Sequence, residues 1–310
     1  MRDKLLNSAK CKICNSDVTV KYKNVCDTVS QKKFVISECN HCSTKQTTPF
    51  PENISEYYHS DYHGGRHGFT GMFRAKRRLS LVNSLLNKYG KVSLLDIGCG
   101  DGTFLLYAKK KGWDVTGTEL NPEMAIDSGI EVKKTLEEIP QIKKFDCITM
   151  WHSFEHMENP LKLMSMVSKR LNPGGVLIVA VPDSGGAQSK LFKQNWFHLD
   201  VPRHLYHFNR NSLSYILQSF GFTTVRQWHQ ELEYDIMGWV QSTLNLFMSD
   251  KNALFNLLTK RKVNINLFLK YVNIILGGVF TLLSLPAIVA GSYFCKGGTL
   301  IIAAKLRNKN

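Results

Sequence analysis

Leu94-Leu95-Asp96-Ile97-Gly98-Cys99-Gly100-Asp101-Gly102-Thr103-Phe104 is the stretch from which the rest of the chain is read. An apolar strand runs into alternating glycines, and a helical pattern opens immediately after them. Glycine adopts positive φ without penalty and lets a ligand press against the backbone. The helix that follows presents unpaired N–H groups and the positive end of its dipole. A dinucleotide fingerprint would need a third glycine three residues after the second, and Thr103 holds that place. An acid, Asp96, precedes the first glycine instead. The next strand, in WDVTGTEL, closes on Glu119, 23 residues beyond Asp96. A carboxylate at such a strand tip can accept both hydroxyls of a ribose.

From Val92 onward, apolar strands alternate with helical patterns: VSLLDIG, FLLYAKKKG, WDVTGTEL, PEMAIDSG, IEVKKT, FDCITMW, PLKLMSMVSKRL and GGVLIVAVP. That alternation predicts βαβ units and a parallel sheet. A helix is expected at about 210–220 and a strand at about 222–229, and TLIIAAKL, 299–306, forms the last strand. Upstream, 70–89 reads as helical, and the Pro, Gly, Tyr and His of 49–68 read as a linker. The expected division is 1–48, a metal ribbon; 49–90, linker and helical lid; 91–231 with 298–310, the core; and 232–297, an apolar helical insertion.

Cys11-Lys-Ile-Cys14 and Cys39-Asn-His-Cys42 are two knuckles separated by a β-rich stretch. The two-residue gap lets both sulfurs of a knuckle face one ion, so the expectation is a closed, structural zinc site of Cys11, Cys14, Cys39 and Cys42. A redox motif would need only one such pair. Cys26, Cys99, Cys147 and Cys295 read as core or lining residues.

DIGCGDGTF, the acid of TGTEL, FDCITMWHSFEHMENP and LNPGGVLIVAVPD, in this order and spacing, resemble class I S-adenosylmethionine-dependent methyltransferases. With the N-terminal ribbon and the block WFHLDVPRHLYHF, the chain is most similar to a bacterial subfamily found beside surface-polysaccharide and lipid pathways. The resemblance spans about residues 10–231 and 298–306. It implies a doubly wound α/β fold: a mostly parallel, seven-stranded Rossmann-like sheet with an antiparallel last strand, behind a small zinc ribbon. It implies S-adenosylmethionine as cofactor, with Gly98, Gly100 and Gly102 against its methionine part. Asp96 would order that turn, Glu119 would hold the ribose hydroxyls and Leu120 would pack on adenine. Trp151 would also line the site. The adenine-edge contact falls in the 135–139 loop, where the family's Asp-plus-small-residue pair is missing. Tyr57, Tyr58 and Tyr62 correspond to a lid in the subfamily, or to plain packing.

Methyl transfer from a sulfonium needs alignment of nucleophile, carbon and sulfur, and in some cases removal of a proton. Groups past the carboxyl ends of strands four and five are placed for this. After strand four come His152, Glu155 and His156; His152 is the pocket candidate, and the Glu-His pair reads as structural. After strand five come His198, Asp200, Arg203, His204 and His207. One reading makes His204 the base, with His198, Asp200 or Arg203 positioning the acceptor. The other makes the block a cap, with Arg203 and His207 as tethers and Asn209 starting the next helix. Both stay open at this point.

Hydrophobic content of 43% and aromatic content of 11% exclude global disorder, and a net charge of +15 points to an anionic partner. The opening MRDKLLNSAK has neither apolar run nor cleavage site, so a cytoplasmic chain is expected. The 271–295 stretch carries no charge and is long enough for a membrane span. Yet the chain must return to lay 299–306 into the sheet. Pro286, Gly277, Gly278 and Gly291 therefore suggest a bent pair of short helices. Lys251, Lys260, Arg261, Lys262, Lys270 and Lys296 flank the stretch, which fits peripheral contact with the anionic inner membrane face. A buried hairpin or a dimer interface is the competing reading. The expected acceptor is a lipid-linked or amphipathic small molecule, with a nucleotide-linked sugar as the alternative. No nucleic-acid partner is expected, because the ribbon's basic residues are not interleaved with aromatics beyond Tyr22 and Phe34. An RNA modifier forms a third class.

Overall fold

Period-two alternation in VTVKYKNVC forms strand β1, Val18–Cys26. The computed structural model describes residues 10–57, 68–86, 91–127, 129–259, 261 and 265–307. Tyr58, Tyr62, Lys260 and Lys262, singled out in the sequence, lie outside them. β1 pairs antiparallel with β2, Lys33–Cys39, which pairs with β3, Lys45–Thr48.

The core follows as helix α1, Gly68–Asn83; β4, Ser93–Ile97; α2, Thr103–Lys110; and β5, Asp114–Thr118. Next come α3, Glu123–Ile126; β6, Glu131–Lys133; β7, Phe145–Trp151; α4, Pro160–Arg170; and β8, Leu171–Pro182. The remainder is α5, Ala187–Phe192; β9, Tyr206–His207; α6, Arg210–Ser219; β10, Phe222–Trp228; α7, Leu232–Phe247; α8, Ala253–Leu258; α9, Leu267–Tyr293; and β11, Thr299–Leu306.

Seven strands form one sheet in the order β10-β11-β8-β7-β4-β5-β6, mostly parallel, with an antiparallel last strand. Every residue of β7 is buried, as a strand covered on both faces requires. β4 is flanked by β5 on one side and β7 on the other, so the chain reverses its direction of winding there. Ligands of open α/β sheets bind outside the carboxyl ends of strands at such a point. Local chemistry fixes the edges of these elements: Asn159 accepts from the Lys162 N–H at 3.0 Å, and Pro160 starts α4.

The chain divides into two compact units. One comprises Met1–Tyr62, Pro182–Tyr215 and Trp228–Leu300; the other comprises His63–Val181, Ile216–Gln227 and Ile301–Asn310. The sequence reading had grouped 182–215 with the core, whereas here the stretch packs with the ribbon. β9 joins β3, giving a four-stranded sheet β1-β2-β3-β9. Phe192, Trp196, Leu199 and Val201 cover its apolar residues Val25, Phe34 and Ile36, with Tyr57 edge-on to Phe34 at 6.2 Å between ring centroids.

The insertion corrects an expectation. Residues 267–293 form one continuous helix with Pro286 inside it, not a bent pair. Gly277 is used for close approach rather than as a hinge: a Cβ there would stand 2.6 Å from Leu254 on α8. Proline in a helix interior costs about 3 kcal/mol, yet the uncharged run from Tyr271 to Cys295 continues through Pro286 as helix.

Candidate functional site

The strand β4 delivers Gly98, Gly100 and Gly102 with φ of 73°, 56° and 74°. At Gly98 the conformation and the space both exclude a side chain, because a Cβ would meet Ser153 Cβ at 2.5 Å. Ser153 itself is fixed by donating its hydroxyl to the Ile97 carbonyl at 2.6 Å. Gly100 faces open space, and its N–H donates to Glu119 Oε2 at 2.9 Å. The two features predicted to share a ligand, the glycine turn and the acid of the next strand, are thus within one hydrogen bond of each other. Leu120, beside Glu119, is 62% exposed, an apolar surface next to the carboxylate.

Asp96 is buried beneath the turn and accepts from the Thr149 hydroxyl at 2.6 Å. Burial raises its carboxyl to about 7, against the opposing pull of Thr149 and of Arg78. Trp151, closing β7, packs edge-on to Phe104 at 6.0 Å, and its buried indole N–H has no hydrogen-bond partner among the described residues. The Arg78 guanidinium lies over its ring, 4.6 Å from the centroid. Sequence reading had passed over Arg78 and Thr149. Arg78 sits in a run of basic residues on α1 that looks like a solvated face, and Thr149 inside an apolar strand.

The 135–139 loop, expected at the adenine edge, is held by Arg170, whose guanidinium donates to the carbonyls of Leu136, Ile139 and Pro140 at 2.8–3.0 Å. His152 follows β7 with φ of 52°, a costly conformation for a non-glycine residue. Its Nδ1 is 3.9 Å from Glu155 Oε1, and both side chains are buried. Within this unit the structure therefore gathers Asp96, Gly98, Gly100, Gly102 and Glu119 at the switch point, with Trp151 and His152 on the adjoining strand end.

The 196–208 block is built inside the other unit. Arg203 pairs with Asp200 through two nitrogens and with Asp27 of the ribbon at 3.2 Å. Asp27 and Arg203 are almost wholly buried. Asp200, a catalytic candidate in the sequence, is the partner that orients Arg203. His198 Nε2 donates to the Tyr234 carbonyl at 3.1 Å. His207 Nε2 meets Thr47 Oγ1 at 3.1 Å, and full burial lowers its pKa to about 3, so it is neutral. His204 donates from Nδ1 to the His198 carbonyl at 2.8 Å, which sets Nε2 as the ring's basic nitrogen. Asn209 accepts from the Ser212 N–H at 3.0 Å and opens α6, as the cap reading expected.

The four knuckle sulfurs lie within 4.8 Å of one another, with Cys11–Cys42 at 3.6 Å and Cys14–Cys39 at 3.4 Å. Zn–S bonds of ~2.3 Å in a tetrahedron require S–S edges of ~3.8 Å. The backbone N–H groups of Ile13, His41 and Cys42 point at knuckle sulfurs at 3.4 Å, as thiolates require. The close contact with Cys11 holds the Cys42 thiol well below its usual range. Donor chemistry and spacing both fit zinc.

A family profile described as a methyltransferase domain matches residues 66–227. Among curated proteins, the ubiquinone biosynthesis O-methyltransferase of Rickettsia bellii (strain OSU 85-389) is 28% identical over 109 residues, 32% of this chain and 45% of that protein. The protein of the same name from Actinobacillus pleuropneumoniae is 30% identical over 116 residues, covering 32% and 50%. The chain thus matches no more than half the length of these curated relatives. Among solved structures, a SAM-dependent methyltransferase from Archaeoglobus fulgidus aligns with TM-score 0.48 and 20% identity, over 82% of this chain and all of that one. Coclaurine N-methyltransferase bound to N-methylheliamine and SAH aligns with TM-score 0.46 and 17% identity, over 74% and 70%. With the profile spanning more than half of the residues, on a sheet of this strand order, the chain belongs to the methyltransferase-domain family, in the class I S-adenosylmethionine-dependent group.

Proposed function

We propose that the protein transfers a methyl group from S-adenosylmethionine to an oxygen or nitrogen of a lipid-linked or amphipathic small molecule, working in the cytoplasm at the inner membrane face. The observation that carries the cofactor assignment is the 2.9 Å bond between the Gly100 N–H and Glu119 at the switch point. Glu119 would exchange that N–H for the ribose hydroxyls, Leu120 would lie on the adenine, and Gly98, Gly100 and Gly102 would let the methionine part approach the backbone. Asp96 would order the turn or reach the cofactor's amino group through water. Arg78, stacked on Trp151, would answer its carboxylate. Zinc at Cys11, Cys14, Cys39 and Cys42 would stabilise the ribbon and take no part in the chemistry.

The bound cofactor supplies an already activated methyl, so the protein's remaining tasks are alignment and proton removal. His204 is the preferred base, because its Nδ1 hydrogen bond leaves Nε2 basic. His152 would orient the acceptor from its constrained position after β7. Asp200 would act only through Arg203. The relatives' names, ubiquinone biosynthesis O-methyltransferase, favour oxygen as the accepting atom and a hydrophobic acceptor.

The decisive experiment incubates the chain with methyl-labelled cofactor and separate lipid, sugar-nucleotide and RNA extracts. Label in the lipid fraction, lost in His204→Gln while cofactor binding persists, is the expected result. Label confined to sugar nucleotides or RNA would overturn the acceptor assignment, and label in no fraction would overturn the activity.

A further inference from the structure

Helix α9 is about 40 Å long, at 1.5 Å per residue, and turns only a narrow stripe to the protein. Asn273, Gly277, Ser284, Ile288 and Gly291 are its buried residues. At 3.6 residues per turn they fall on one line, which packs on α7 and α8 around Val240, Leu244 and Leu254. On the opposite side Phe268, Tyr271, Ile275, Leu282, Val289 and Tyr293 are 59–80% exposed. Single exposed apolar side chains are ordinary on soluble proteins, but a row running the length of a helix is not.

The charge around this face is one-sided. From Lys251 to Asn310 the chain has nine Lys and Arg and no Asp or Glu. Lys270 lies in the first turn of α9 and Lys296 just past its last. Ammonium groups at both ends of an apolar row match anionic headgroups around an acyl layer.

By length and composition the helix would suffice to cross a bilayer. Its packing argues against that. α7, its neighbour along the stripe, carries buried Asp235, Gln241 and Asn245. Asp235 accepts from Thr299 Oγ1, and its carbonyl accepts from Gln188 Nε2, both at 2.9 Å. Ser242 accepts from the Phe197 N–H at 2.9 Å. A crossing would draw these groups into hydrocarbon. Nor does a second copy suit the face. Paired copies would bring two basic segments together with no acid to answer them.

We propose that the outer face of α9, flanked by Lys270 and Lys296, is an in-plane docking surface for a bilayer containing anionic lipid. This deepens the membrane-face reading given above and holds whether or not the acceptor is a lipid.

Full-length protein is floated with vesicles of phosphatidylcholine alone and of phosphatidylcholine mixed with phosphatidylglycerol. It should rise with the mixed vesicles and fall away at high salt. Phe268→Glu with Leu282→Glu should abolish flotation, and Lys270→Gln with Lys296→Gln should weaken it by roughly tenfold or more, the scale expected for two charges at an anionic surface. Both variants should bind S-adenosylmethionine in calorimetry as the parent does, which separates a lost surface from a lost fold. Flotation without label transfer to lipid extracts would support the docking surface while removing the lipid acceptor. Failure to float, or a dimer in vesicle-free buffer that Leu282→Glu dissociates, would overturn the proposal.

Discussion

At Gly98 the backbone sits at φ 73° and the place of a side chain is already taken by Ser153. Gly98→Ala should therefore cost at least ~2 kcal/mol, from left-handed strain and overpacking together, read as a lowered urea midpoint. Asp96 gives the core a distinct pH dependence. Its carboxyl is raised from 3.8 to about 7 by burial, so the folded state holds a proton that the unfolded chain has released. Stability is then fully favoured below the unfolded value and falls as pH rises through the folded one. Asp96's own contribution should decline between about pH 4 and pH 7, read as a difference between the unfolding midpoints of the parent and of Asp96→Asn that changes across that window. His207 works in the opposite sense. Its pKa is lowered to about 3, so the unfolded chain takes up a proton first, and stability is lost as pH falls below the unfolded value of 6.5. A His207→Gln variant that keeps the acid-side loss would refute this.

The element most dependent on one contact is the ribbon. Arg203 joins its Asp27 to Asp200, and the first two are buried. Removing one partner of such a group leaves an unanswered charge, at a cost of about 3–5 kcal/mol. Arg203→Met should therefore lower the melting temperature by several degrees, and a melt unchanged from the parent would show the network to be dispensable. The ribbon should also release one zinc per chain to a strong chelator, with loss of its β-signal in circular dichroism. The sequence made the knuckles legible because two-residue gaps have few other uses. It did not make β9 legible, because two residues, Tyr206 and His207, carry no period. Their pairing with Lys45 and Gln46 arises only from tertiary placement. In α9 the glycines and Pro286 read as breakers, because a glycine's use as a packing notch depends on a neighbour, here Leu254, that no local pattern reveals.

Over the whole molecule, the alternation from Val92 to Pro182 was enough to read βαβ units and a parallel sheet, since buried parallel strands are continuous apolar runs between amphipathic helices, while the doubly wound order and the antiparallel last strand came with the resemblance. The nearness of the glycine turn to Glu119, bonded through the Gly100 N–H, was equally legible, because the glycines and Glu119 sit at strand ends in fixed order. The acceptor side was not. Histidines within ten residues of one another look alike in sequence, and only the fold gives each its partner: the Tyr234 carbonyl for His198, Thr47 for His207 and the His198 carbonyl for His204. The charge of +15 suggested an anionic partner, and nine basic residues with no acid among them lie from Lys251 to Asn310. What all of this rests on is recognition of an adenosyl group by the glycine turn and Glu119. Calorimetry of S-adenosylmethionine against the full-length protein and Glu119→Gln measures it directly. One cofactor should bind per chain, with affinity falling roughly 10–100-fold in the variant, as expected for losing hydrogen bonds to a charged acceptor. No heat with the parent chain, or equal affinity in the variant, would contradict the assignment of this crevice.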